Sequence, residues 1–257
     1  MMAAVNMNKY KSQDKQPTFV VLISANAEWR IVREHFIQNR IRKSPFGEWF
    51  TNRYIDNPEI DKPVIFLHGG WGKVAAAASA QYAINRWNPQ LIINIGTCGG
   101  FKGVVGKGEI LLVQKTIIYD IFEQMGDPGE HIEFYSTEID TAWLEDVYPI
   151  PVRSSLLVSG DRDLFIHDIP QLKTKYGAIA GDWESGAIAW VSGRNRVKCL
   201  ILRGVTDLVG EDGGEAYEGN INVFYENTQL IMERLIISLP QWLLKFIKYK
   251  WVGDLEK

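Results

Sequence analysis

"PQLIINIGTCGG", Pro89–Gly100, is the stretch on which the fold of this chain turns. Its first half is an apolar run of the kind that fills a strand covered on both faces. Its second half is a glycine-rich turn carrying a hydroxyl and a thiol, Thr97 and Cys98. In open α/β sheets, ligands bind beyond the carboxyl ends of the strands. A polar strand end of this composition therefore reads as a candidate site as well as a turn.

Similar runs lie on either side. "TFVVLISA" (Thr18–Ala25) precedes "EWRIVREHFIQN", where Ile31, Val32, His35 and Phe36 fall at helical spacing. "KPVIFLHGG" (Lys62–Gly70) precedes the alanine-rich helix "GKVAAAASAQYAINRW". Downstream, "GKGEILLVQKTIIYD" supplies one or two strands, "PVRSSLLVSGD" another, and "IPQLKTKYG" a short helix. "GAIAGDWESGAIAWVSGRNR" reads as strand, turn and helix, and "VKCLILRGVTDLVG" as a last central strand. "NVFYENTQLIMERLIISL" is a closing amphipathic helix. Strands alternating with helices predict an α/β fold, three layers α/β/α with a central mixed sheet. "PQWLLKFIKYKW" reads as a helix packed on its own domain or on a partner subunit, with a membrane-surface helix as the alternative.

The totals fit one domain. With 257 residues, 46% of them hydrophobic, the chain has ample material for one large core over residues 17–257. Residues 1–16 are polar and terminal and read as a disordered tail. A net charge of −3 without a basic run leaves no electrostatic footprint for nucleic acid. No stretch reaches the ~20 apolar residues of a membrane span, and the first residues lack the apolar core of a secretory leader. Two cysteines, Cys98 and Cys199, make no disulfide framework, and the expected location is the cytoplasm. Four scattered histidines show no metal spacing, so neither a metal nor an organic cofactor is expected. "GGWGKV" follows the second strand and lacks the dinucleotide-binding glycine register.

Four strand ends carry polar residues: Glu28 after the first, Gly96 to Gly100 after the third, Trp183 and Glu184 in "GDWESGAIAW", and Arg203, Thr206 and Asp207 in "LRGVTDL". Each has a plain reading. Glu28 and Glu184 could be first-turn helix acids, the glycines a tight turn, and Arg203 with Asp207 a structural ion pair. Convergence of three acids, an arginine and a glycine-rich segment on one sheet edge favours a site.

These residues also carry a resemblance. "GWGKVAAA", "INIGTCGG", "VSGD", "DWESGAIA" and "LRGVTDL", in this order, resemble the purine nucleoside phosphorylase and nucleosidase superfamily. More narrowly, the chain is similar to the 5′-methylthioadenosine/S-adenosylhomocysteine nucleosidases. The resemblance implies a purine nucleoside as substrate and a homodimer or higher homo-oligomer. It implies that Glu28 positions and deprotonates the attacking water, which Thr97 and Arg203 help hold, and that Cys98 and Gly99 beside Thr97 bind the substrate. It implies that Glu184 accepts hydrogen bonds from the ribose hydroxyls with Trp183 against the sugar, and that Asp207, assisted by Thr206, is the general acid toward adenine. Leu164 and Phe165 would pack on the purine, although "SGDRDLFI" is two residues longer than the bacterial pattern.

The chemistry stands on its own terms. Cleaving an N-glycosidic bond makes the sugar cationic and the base anionic. Such a reaction needs an anion at the sugar, a proton for the base and an activated nucleophile. Phosphorylases of the superfamily hold phosphate with arginine, and the corresponding position here is the neutral Asn94. Hydrolysis is therefore the expected reaction; phosphorolysis, with Lys73 or Arg30 holding phosphate, is the alternative. A non-catalytic nucleoside-binding or storage protein on the same fold is a second one. The 5′ substituent stays open, because residues 122–151 resemble no family segment.

Overall fold

A computed structural model describes residues 19–145, 147–210, 213–217 and 220–255. The expected tail, 1–16, lies outside the described residues.

The chain runs β1 (Phe19–Ile23), α1 (Asn26–His35), β2 (Arg42–Lys43), β3 (Glu48–Asn52), β4 (Val64–His68), α2 (Gly72–Trp87) and β5 (Leu91–Phe101). It continues with β6 (Ile110–Ile118), α3 (Pro128–Phe134), β7 (Ser136–Glu138), a 3₁₀ turn at Ala142–Leu144 and β8 (Arg153–Ser159). Next come α4 (Ile169–Tyr176), β9 (Ala180–Asp182), α5 (Ser185–Arg194), β10 (Lys198–Gly210), β11 (Gly213–Gly214) and α6 (Ile221–Leu255).

The strands form one mixed sheet with β1, β4 and β10 parallel to their neighbours β1 or β5. Period-two alternation in β1 sends Phe19, Val21 and Ile23 into a core shared with α1 and α6. Val20 and Leu22 enter a second core, closed by the alanines of α2 and the apolar face of α5. The sheet is thus sandwiched between two helical layers, as the alternation of elements predicts. The hairpin β2–β3 at one edge had no counterpart in the sequence reading.

Two differences matter for the site. The glycines after Ile95 do not make a turn: β5 runs through them to Phe101, paired with β10 and with β9. As a result β5, β10, β6, β8 and β9 form a closed circuit of hydrogen-bonded neighbours. The closing helix and the basic-apolar tail are one element, α6, which passes through Pro240. Trp242, Leu243 and Phe246 are buried against β1 and Trp143, which covers the apolar face that a membrane-surface helix would present. Among the described residues no helix is long and apolar enough to cross a membrane.

Candidate active site

Four elements bring their ends to one cavity of about 750 Å³. Glu28 stands in the first turn of α1, directly after β1, and is 4% exposed. Its Oε1 accepts from the Thr97 backbone N–H (2.6 Å) and hydroxyl (2.8 Å), and Oε2 from the Ala25 N–H (3.2 Å). The last bond is the plain helix-terminal role; the first two tie the same carboxylate to β5. Burial raises the Glu28 pKa, against the opposing pull of Arg203 and the Thr97 and Ala25 donors.

The β5 glycines admit these groups. A Cβ on Gly96 would lie 2.6 Å from Arg203 Nη1 and 2.8 Å from Glu28 Oε1, so both charged groups close over a residue that must lack one. Gly96 pairs with Arg203 in the sheet, which fixes that approach.

Arg203, 2% exposed, does form an ion pair, but with Asp182 rather than Asp207. Its Nε donates to Asp182 Oδ2 at 2.7 Å and its Nη2 to Asn94 Oδ1 at 2.5 Å. Asn94 in turn donates to the Leu22 carbonyl (3.0 Å). Asp182 also accepts from the Ser159 hydroxyl, the Ser185 hydroxyl and the Ser185 N–H at the start of α5. The capping function in "GDWES" therefore belongs to Asp182.

Glu184 makes no capping bond. Its Oε1 instead accepts from the Gly72 N–H (3.0 Å) at the first turn of α2. Burial first, and the Asp182 charge second, push its pKa up to about 8; the Gly72 donor and Arg203 pull the other way. Glu28, Asp182 and Glu184 share one arginine. Burial by itself would lower the pKa of Arg203, but these three carboxylates, Asp182 foremost, outweigh it and raise the value.

Asp207 lies across the cavity on β10. A bulge between Val205 and Asp207 lets the adjacent residues Thr206 and Asp207 both line the cavity, where a regular strand would send them to opposite faces. The Thr206 hydroxyl donates to Asp207 Oδ1 at 2.7 Å. Burial raises the Asp207 pKa, with Glu215 and Asp163 adding to it and Thr206 and Lys107 opposing.

Of the other expected residues, Thr97, Cys98, Gly99, Leu164, Trp183 and Thr206 line the cavity. Phe165 does not: it is 55% exposed, with the Arg162 guanidinium over its ring. Sequence reasoning missed Asp182 as the partner of Arg203, and missed Asp163 and Tyr217, which flank the Asp207 side; the Tyr217 hydroxyl donates to the Leu164 carbonyl (3.2 Å). The spacing Asp-x-Glu at a strand end held the signal for Asp182. Nothing local marks Tyr217, which the chain delivers from beyond β11.

Of the two alternative anion holders, Lys73 is engaged elsewhere, whereas Arg30 lines the cavity. The Lys73 ammonium pairs with Asp120 and lies 3.8 Å from Asp161, whose Oδ1 also accepts the Lys73 N–H at 2.7 Å. The first N–H groups of α2 are thus taken by Glu184 and Asp161.

Comparison with known proteins identifies the family and the fold. The family model of the phosphorylase superfamily matches residues 37–237. The 5′-methylthioadenosine/S-adenosylhomocysteine nucleosidase of Staphylococcus saprophyticus is 30% identical over 193 residues, 70% of this chain and 83% of the relative. That of Anoxybacillus flavithermus is 25% identical over 216 residues, 77% and 89% of the two chains. The apo structure of Arabidopsis thaliana 5′-methylthioadenosine nucleosidase superimposes with a TM-score of 0.71 at 21% identity, covering 90% of this chain and 96% of the other. With the family model spanning more than half of its length, this chain belongs to the phosphorylase superfamily.

Proposed function

We propose that this chain is a nucleosidase that hydrolyses the N-glycosidic bond of an adenine nucleoside such as 5′-methylthioadenosine or S-adenosylhomocysteine. The observation that carries the reading is the set of three carboxylates with raised pKa disposed around one cavity: Glu28 and Asp207, both buried, and Glu184, half-buried.

Each meets one need of the reaction. Asp207, whose pKa burial raises, donates a proton to a ring nitrogen of adenine as the base leaves with the electron pair of the glycosidic bond. Glu184 accepts hydrogen bonds from the ribose 2′- and 3′-hydroxyls, and these strengthen as the sugar becomes cationic. Water adds to the sugar carbon while Glu28, oriented by Thr97 and facing Arg203, takes its proton. Trp183 lies against the sugar, and Leu164 with Gly99 against the base. Water is favoured over phosphate because Glu184 and Asp161 already occupy the N–H groups at the start of α2, and Lys73 is paired with acids.

We further read the molecule as a cytoplasmic homodimer. The support is two free, buried thiols and the exposed apolar side chains of Trp71 and Val74 at the start of α2. Light scattering of the purified chain measures the subunit number.

The deciding assay is adenine release from 5′-methylthioadenosine, S-adenosylhomocysteine and adenosine, with and without phosphate. Release independent of phosphate is expected. Release only with phosphate would make the chain a phosphorylase.

A further inference from the structure

The residues assigned above to base, sugar and water are only part of the lining of the cavity. A further wall is made by α1 and the start of α6, which pack together. Arg30 stands one turn beyond the adjacent Asn26 and Ala27 of α1, and all three line it. Ile221, Phe224 and Tyr225 from α6 line the same cavity, and Trp71 does so from the approach to α2. Once base and sugar are seated, this wall is left for whatever the sugar carries at its 5′ position.

Arg30 distinguishes it. Among the described residues, Arg162, the other cation in the lining, is paired with Asp168, and the cations near it are also engaged: Arg203 by Asp182, Lys73 by Asp120 and Lys107 by Glu215. Arg30 is exposed, faces the cavity and makes no ion pair or hydrogen bond among the described residues. A guanidinium offers a fork of donors matched to a carboxylate, and its neighbours here, Ile221, Phe224, Tyr225 and Trp71, are apolar or aromatic.

We propose that Arg30 makes this wall a subsite for 5′ substituents with an apolar stem and an anionic end, so that the preferred substrates are adenine nucleosides whose 5′ extension carries a carboxylate. The inference rests on the nucleosidase reading. Arg30 discriminates between nucleosides and takes no part in bond cleavage.

The test compares kcat/KM for S-adenosylhomocysteine and for its decarboxylated analogue, 5′-(3-aminopropylthio)-5′-deoxyadenosine, which differs only by the carboxylate. The wild-type chain is expected to prefer the carboxylated compound about tenfold, the worth of one charge-assisted hydrogen-bonding contact. Arg30→Gln brings the ratio close to one, and Arg30→Lys leaves an intermediate ratio. Because each ratio is taken on one variant, loss of folded protein does not alter it. A wild-type ratio near one, or a ratio that survives Arg30→Gln, overturns the proposal. So does a phosphate-stimulated release that Arg30→Gln abolishes, which would make inorganic phosphate the anion. If wild-type protein releases adenine from neither compound nor from 5′-methylthioadenosine, it is the nucleosidase reading that falls.

Discussion

Glu184 occupies the position where α5 would take its cap, yet its side chain turns to another helix, and Asp182 two residues earlier does the capping. The two acids should therefore fail differently. Glu184→Gln is expected to lower kcat/KM by about 10² to 10³, the scale seen when one transition-state contact is lost. Its effect on stability has a definite sign. Glu184 holds its proton more tightly folded, at about 8, than at its ordinary 4.5. Between those values the native state carries more protons than the unfolded one, so stability declines as pH rises through that window. Tm of the wild-type chain should fall from pH 5 to pH 8, and Glu184→Gln should flatten that fall. A mutant that melts lower than wild type at pH 8 would make Glu184 a structural residue. Asp182→Asn removes the ionic partner of a guanidinium 2% exposed and should cost about 3–5 kcal/mol in denaturant titration. Both residues lie in one five-residue stretch, and on the nucleosidase reading only one of them is there for the fold.

At the level of elements, the strand–helix alternation was legible where the elements are long and apolar, as in β1, α2, β5, β8 and β10, and not at the two-residue β2 and its hairpin with β3. What was misread is the end of β5. Glycines after an apolar run ordinarily signal a turn. Here they are strand residues, emptied of side chains because Glu28, Leu164, Arg203 and Val205 come from distant parts of the chain to fill the space. That crowding is tertiary and leaves no local trace. The same holds for the Arg203–Asp182 pair: sequence proximity favoured Asp207 as partner, and the closed circuit of strands supplied Asp182 instead. Phe165 fell out of the cavity because the longer Gly160–Leu164 segment spends its register on Asp163 and Leu164. Gly96→Ala should abolish turnover, read as adenine release, since its methyl group displaces Arg203 or Glu28. Gly204→Ala would drive a methyl into Ile231 of α6 and should cost about 1–3 kcal/mol. Ile231→Ala in the same chain should recover part of that loss, measured as a double-mutant cycle in urea.

For the molecule as a whole, the cavity and the main core respond to different changes. Phe246 of α6 meets Phe19 edge-on (centroids 6.0 Å apart) and Trp143 likewise (5.3 Å) on the face of the sheet covered by α1 and α6. Phe246→Ala should lower stability by about 3–5 kcal/mol while leaving kcat of the folded fraction near wild type. A proportional loss of kcat would mean that α6 transmits packing to Asp207, with Asn227, which donates to the Thr206 carbonyl (2.7 Å), as the connecting contact.

The pairing of β5 with β10 has a consequence in time. During synthesis β1, β4 and β5 emerge early and can pair at once, but the partner of β5 on its other side arrives only after β9 and α5 have been made. Contacts so distant along the chain close slowly, and until they close, an apolar strand lies open along one edge. The nascent chain thus carries an open strand edge through the middle of its own translation, and the arrival of β10, which brings Arg203 and Asp207 into place, closes it.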